Sequence, residues 1–105
     1  MTDIIIYTTP EKLLHKQGKL ENDPDYSEDG EYYWSFSHMP KGLEEGKSKI
    51  YFATKSFIRG YFIIEEVHAD EIILYCRTWK DIKPIPITHF QGFKYADKVK
   101  ELKGD

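Results

Sequence analysis

One cysteine stands in 105 residues, Cys76, which excludes an internal disulfide and the zinc spacings built from paired cysteines. A lone thiol within the apolar run Glu71-Ile-Ile-Leu-Tyr-Cys-Arg-Thr-Trp79 is expected to be a buried, inert side chain in a reducing compartment. No stretch approaches the eighteen or so uninterrupted apolar residues of a membrane span, and Met1-Thr-Asp-Ile-Ile-Ile-Tyr7 lacks the basic segment of a secretory leader. The expectation is a cytoplasmic chain with no membrane partner. His15, His38, His68 and His89 lie far apart without a His-x-x-x-His pair, so no metal is expected. Asp23, Asp25, Ser27 and Asp29 alternate like calcium ligands, but Glu28 replaces the needed glycine and Trp34 the bidentate glutamate. Also missing are a Gly-x-Ser-x-Gly elbow, a phosphate-cradling loop and a dinucleotide fingerprint, which removes the familiar enzyme classes and gives no cofactor a foothold.

The chain also lacks an excess of positive charge, its formal net charge being -3. That total hides an asymmetry. Residues 1–31 hold three lysines against eight carboxylates, whereas the remainder carries a net +2. Phosphate contacts need local rather than total positive charge, so binding to long nucleic acid is expected to be weak and salt-sensitive.

What is present is apolar and aromatic side chains, 40% and 15% of the sequence, enough for one core in a single domain over residues 1–105. Ile4, Ile5 and Ile6 suit a buried strand. Thr9-Pro10-Glu11 then starts a short helix, about Pro10 to Gln17, which Gly18 should end. Lys19 to Glu31 holds six acids among Asn, Pro, Ser and Gly, the texture of a solvated loop. From Tyr32 the pattern turns to β-branched and aromatic residues, with strands predicted at Tyr32–Ser37, Lys49–Thr54, Ser56–Val67 and Glu71–Trp79. Gly60, inside the third of these, signals a bulge or a close backbone approach. Pro84 and Pro86 keep Lys83–Ile87 out of a sheet centre, and Ile85–Tyr95 reads as an edge or cover segment. Ala96, Val99 and Leu102 suggest a short terminal helix. The fold class is therefore mainly β with short helices (α+β), and closure of the sheet into a barrel would remove exposed edges.

The succession Trp34-Ser-Phe-Ser37, Gly46-Lys-Ser-Lys-Ile-Tyr-Phe-Ala53 and Ile58-Arg-Gly-Tyr-Phe-Ile-Ile-Glu-Glu-Val67 resembles the PUA-like superfamily, particularly its ASCH and EVE branches. Trp79 and Gly92-Phe-Lys-Tyr95 resemble that family's closing segment. Gly46-Lys47 departs from it, since many relatives carry aspartate after the glycine. The resemblance covers residues 32 to 95 and implies a small closed or nearly closed β-barrel whose mouth accepts RNA, a single-stranded end or one modified base.

Strand alternation places Phe57, Arg59, Tyr61 and Ile63 on one face, and likewise Ile73, Tyr75, Arg77 and Trp79. Aromatic rings beside cations suit bases and phosphates, so Trp34, Ser37, Lys55, Arg59, Tyr61, Arg77, Trp79 and Tyr95 are the candidate nucleic-acid-binding residues. Two alternatives use the same residues differently. Thr54-Lys55 with Glu65 or Glu66 resembles the catalytic set of an amidohydrolase acting on a modified nucleoside. Exposed aromatics would equally anchor a protein-interaction or regulatory module.

Overall fold

Three successive isoleucines make the first strand hydrophobic on both faces, and a strand of that kind belongs in the middle of a sheet. In the computed structural model, which describes residues 2–16 and 31–96, it does: β1 (Ile4–Tyr7) lies between β3 (Lys49–Thr54), to which it is parallel, and β7 (Phe93–Tyr95), to which it is antiparallel. Helix α1 (Pro10–Lys16) starts where the capping residues predict, with the Lys12 amide donating to Thr9 Oγ1 at 3.3 Å. The helix end at Gly18, the acidic loop up to Gly30 and the terminal helix beyond Ala96 lie outside the described residues.

The other strands are β2 (Glu31–Ser35), β4 (Phe57–Val67), β5 (Glu71–Tyr75) and β6 (Lys80–Pro86). They build one mainly β sheet in the order β2-β5-β4-β3-β1-β7. The eleven-residue β4 is its spine: β3 pairs along one edge, while β5 and β6 share the other, pairing with its C-terminal and N-terminal parts respectively. β6 pairs with no other strand among the described residues, so its two prolines cost no second ladder.

Register shifts give β4 its shape. Phe52 pairs with Gly60 and Ala53 with Ile58, which leaves Arg59 as an extra residue and turns the strand over at that point. Ile58 and Tyr61 consequently share a face that strict alternation would deny them. A second shift, at Glu65, similarly directs both Ile64 and Val67 toward one core.

The sheet therefore has two cores. One cluster draws Ile4 and Ile6, Ile50 and Phe52, Phe62 and Ile64, Ile72 and Leu74 from four strands, with Leu13 of the helix against it. Burying each such side chain contributes about 1.5–3 kcal/mol. The other holds Ile5, Tyr51, Ala53 and Ile58 on the opposite face, where Ile85, Ile87 and Phe90 cover them.

Glu71–Trp79 does not continue as one strand. After Tyr75 the chain makes a 3-10 turn, Cys76–Thr78, so the shared face expected for Tyr75, Arg77 and Trp79 is absent and Cys76 is only half-buried. Thr78 explains the break. Its hydroxyl donates to the Tyr75 carbonyl at 2.8 Å and accepts from the Ile63 amide at 3.3 Å, holding the turn against β4 between its pairings with β5 and β6.

β2 and β7, the two ends of the sheet order, do not pair with each other, so the sheet is not closed into a barrel. It does curl. Phe36, immediately after β2, meets Phe93 of β7 edge to face with ring centroids 5.7 Å apart, and both pack on the larger core.

Candidate functional site

The ends of β1, β2 and the β3–β4 hairpin, together with the approach to β7, form two adjoining clefts along this unpaired seam. The first, about 450 Å³, is lined by Tyr7, Thr8, Thr9, Pro10, Lys12, Trp34, Lys55 and His89. Tyr7 and Trp34 also line the second, of about 320 Å³, with Ser35, Phe36, Ser37, His38, Gln91, Gly92 and Phe93. Both volumes lie within the range of about 300–1,000 Å³ typical of small-molecule sites. Among the described residues, no Asp or Glu lines either cleft. A wall whose described side chains include lysines and no carboxylate favours an anion over a cation.

Packing fixes the aromatic groups. Trp34 is half-buried, its ring 5.3 Å from that of Phe52 at a steep angle. One side of the indole thus belongs to the core while the residue still lines both clefts. Tyr7 is held by three contacts: edge-to-face with His89 at 4.8 Å, with Phe90 at 5.8 Å, and a hydrogen bond in which its hydroxyl accepts from the Ser56 amide.

That last bond reaches the tip of the β3–β4 hairpin. Lys55 and Ser56 both have positive φ, 48° and 72°, the left-handed pair of a two-residue turn in which Asn-Gly is the favoured sequence. Three contacts hold the tip: the Tyr7 hydroxyl, the Ser56 carbonyl accepting from the Ile87 amide at 2.9 Å, and Arg59 Nε donating to the Thr54 carbonyl and hydroxyl at 3.2 and 3.3 Å. Lys55 therefore projects from a fixed backbone.

Of the residues predicted from sequence, Trp34, Ser37 and Lys55 come together at the clefts. Arg59 stands behind the hairpin, its guanidinium 5.2 Å from the Phe57 ring centre. Tyr61 belongs to the opposite face, against Tyr51 at 5.4 Å and under Lys49. Tyr95 lies further along β7, where its hydroxyl accepts from the Lys41 amide at 3.2 Å. Arg77 is exposed over the Tyr75 ring at 4.8 Å. Trp79 is partly buried, packing on the larger core beside Phe62 with its indole donating to Asp81 at 2.8 Å, and it lines neither cleft. Nor do Thr54 and Lys55 meet Glu65 or Glu66, because these stand at opposite ends of β4: Thr54 pairs with Phe57, whereas Glu66 pairs with Ile73.

Sequence reasoning missed Tyr7, Thr8, Thr9, Lys12, Phe36, His89 and Gln91. One usable signal was Tyr7-Thr-Thr-Pro10, polar residues directly after a fully apolar strand, where a chain leaves its sheet.

Among the described residues, two phenols have acidities shifted by their surroundings. Burial, assisted by Asp3 and Tyr61, raises the Tyr51 hydroxyl above its ordinary value of 10.0. A hydrogen bond to Glu31 is the leading cause of the rise at Tyr75. Neither tyrosine lines the clefts.

No family model, curated protein or solved structure matches the chain.

Proposed function

We propose that the protein binds a short single-stranded or modified nucleic acid in the seam between β2 and β7. The observation that carries this reading is the lining of the two clefts, in which aromatic side chains stand beside Lys12 and Lys55 and, among the described residues, no carboxylate joins them. A base offers a flat π face to Trp34 and hydrogen-bonding edges to Ser35, Ser37 and Gln91, while lysines suit its phosphate. The curled, unclosed sheet is read as a PUA-like barrel open at one seam, the resemblance resting on the residues of β2, β3 and β4. A reducing, cytoplasmic setting suits the single cysteine.

Fluorescence anisotropy with labelled RNA and DNA oligonucleotides, modified-base variants included, at two salt concentrations tests the proposal. Trp34→Leu keeps apolar bulk against Phe52 and removes the stacking face, so it should weaken binding by about 1–3 kcal/mol. Absence of binding across a broad panel at both salts refutes the reading, and unimpaired binding by folded Trp34→Leu refutes the assigned site.

A further inference from the structure

The two clefts share Tyr7 and Trp34 but differ in chemistry. Beyond that shared pair, the larger adds two lysines, a histidine and the hydroxyls of Thr8 and Thr9. The smaller adds two serines, a glutamine, a histidine and two phenylalanines, with no lysine or arginine among the described residues. One side is cationic and the other is aromatic and polar, with an indole on the border. We propose that the groove holds a single phosphorylated nucleotide, its base in the cleft of Ser35, Ser37 and Gln91 and its phosphate on Lys12 and Lys55. This rests on the reading of the seam as a nucleic-acid site and assigns its capacity and polarity.

Size sets the capacity. Surfaces that track a single strand without sequence preference cover about 4–16 nucleotides per barrel, using a continuous basic groove. Here both clefts are near the lower end of small-molecule volumes, and among the described residues lysines line the larger alone. Polarity comes from the fixed lysine. Lys55 stands in a strained turn whose backbone is tied to Tyr7, Ile87 and Arg59, so its side chain leaves a fixed backbone position in the lining of the larger cleft. Lys12 lies on the first turn of α1, whose start is fixed by the Thr9 hydroxyl. A phosphate between them would replace water around two like charges that meet no carboxylate among the described lining residues. Recognition by shared chemistry extends to a free mononucleotide and to the phosphorylated end of a strand.

Isothermal titration of the full chain with nucleosides, their 5′- and 3′-monophosphates, inorganic phosphate, and two- and ten-residue oligonucleotides with and without a terminal phosphate tests this. In parallel, Trp79→Phe leaves Trp34 as the sole indole reporter. A monophosphate should bind at least tenfold more tightly than its nucleoside, and a ten-residue strand no more than threefold more tightly than a dinucleotide with the same end. Lys12→Gln/Lys55→Gln should bring the monophosphate down to the nucleoside's affinity, whereas Lys83→Gln, on β6 away from both clefts, should not. Equal affinity for nucleoside and monophosphate overturns the inference while leaving nucleic-acid binding in place, and so does affinity that climbs steadily with strand length. Failure of every ligand to bind removes the underlying reading as well. Among positive outcomes, tight binding of the monophosphate alone identifies a free nucleotide, and equal binding of phosphorylated oligonucleotides identifies a strand end.

Discussion

Gly60 is a position where one methyl group should be expensive. Its φ is not in the left-handed region, so no backbone preference demands glycine; the constraint is steric. A Cβ there would lie 2.6 Å from Cζ2 and 2.9 Å from Cη2 of Trp79, and closer still to the Lys80 carbonyl oxygen. The indole is wedged against Phe62 and tied to Asp81, and the carbonyl belongs to β6 beside the Gly60–Asp81 and Tyr61–Lys80 pairs. Neither is the free end of a flexible side chain. Overpacking of this kind costs about 1–3 kcal/mol. Displacing β6 forfeits one or two ladder hydrogen bonds at about 1 kcal/mol each. Against these, alanine restricts the unfolded chain and returns about 0.4–1 kcal/mol. Gly60→Ala should therefore destabilise the protein by about 2–4 kcal/mol, a large part of the roughly 5–15 kcal/mol that stabilises a domain. At about 4 °C per kcal/mol, the melting temperature should fall by about 8–16 °C. Thermal unfolding followed by circular dichroism, with urea titration for the free energy, measures it. In a Trp79→Leu background the cost should shrink by at least about 0.5 kcal/mol, because the two positions touch. A Gly60→Ala variant that melts within about 2 °C of the wild type would refute the steric argument.

Replacing Lys55-Ser56 by Asn-Gly, the favoured pair for this turn, should relieve strain and stabilise the protein by roughly 1–2 kcal/mol while weakening nucleotide binding; a drop in stability in urea titration would show that the turn is not strained. Stability should also fall as pH rises above 10, because the folded state holds the Tyr51 proton more tightly than the unfolded chain: the contribution is complete below the unfolded value of 10.0 and is lost as pH passes through the raised folded value. Urea midpoints between about pH 9 and 11.5 should decline less steeply in Tyr51→Phe, and an identical slope would count against Tyr51 as the group responsible.

The strand pattern was legible where a local rule decides structure. Lys49–Thr54 and the start of the helix at Pro10 are visible because β-branched and aromatic composition, proline and capping chemistry act over a few residues. Gly60 was legible as an anomaly, since a glycine among aromatic strand residues gives up side-chain packing and is tolerated where a Cβ has no room. The faces of β4 were not, because counting by twos fails at a bulge and nothing in Ile58-Arg-Gly-Tyr61 reveals which residue is extra. The end of β5 was hidden for a similar reason: Cys76-Arg-Thr-Trp79 has strand-forming composition, but the Thr78 hydroxyl satisfies groups at Tyr75 and Ile63 that a longer ladder would have paired. That turn carried Arg77 and Trp79 off the expected surface. No helix among the described residues is long and apolar enough to cross a membrane.

The clefts were the least legible feature, and their position explains why. Their lining comes from places where strands stop: Tyr7 to Pro10 after β1, Ser35 to His38 at the end of β2, Lys55 at a hairpin tip and Gln91 to Phe93 at the start of β7. Periodicity carries no information there, so these residues are joined only by the curl of the sheet, which in turn depends on the bulges in β4. If β2 and β7 were laddered together, strands would lie about 4.8 Å apart across the seam and the cleft containing Ser35, Gln91 and Phe93 would close. Phe36 and Phe93 instead span the gap with their rings, at a centroid distance of 5.7 Å. The edge-to-face pair thus keeps the core covered where hydrogen bonding between the two strands stops. An unclosed sheet normally exposes edges that invite aggregation, and here the exposed length is limited by strands of only five and three residues. Keeping those two strands short lets the seam remain open, and the open seam is what gives Trp34 and Lys55 a common cleft.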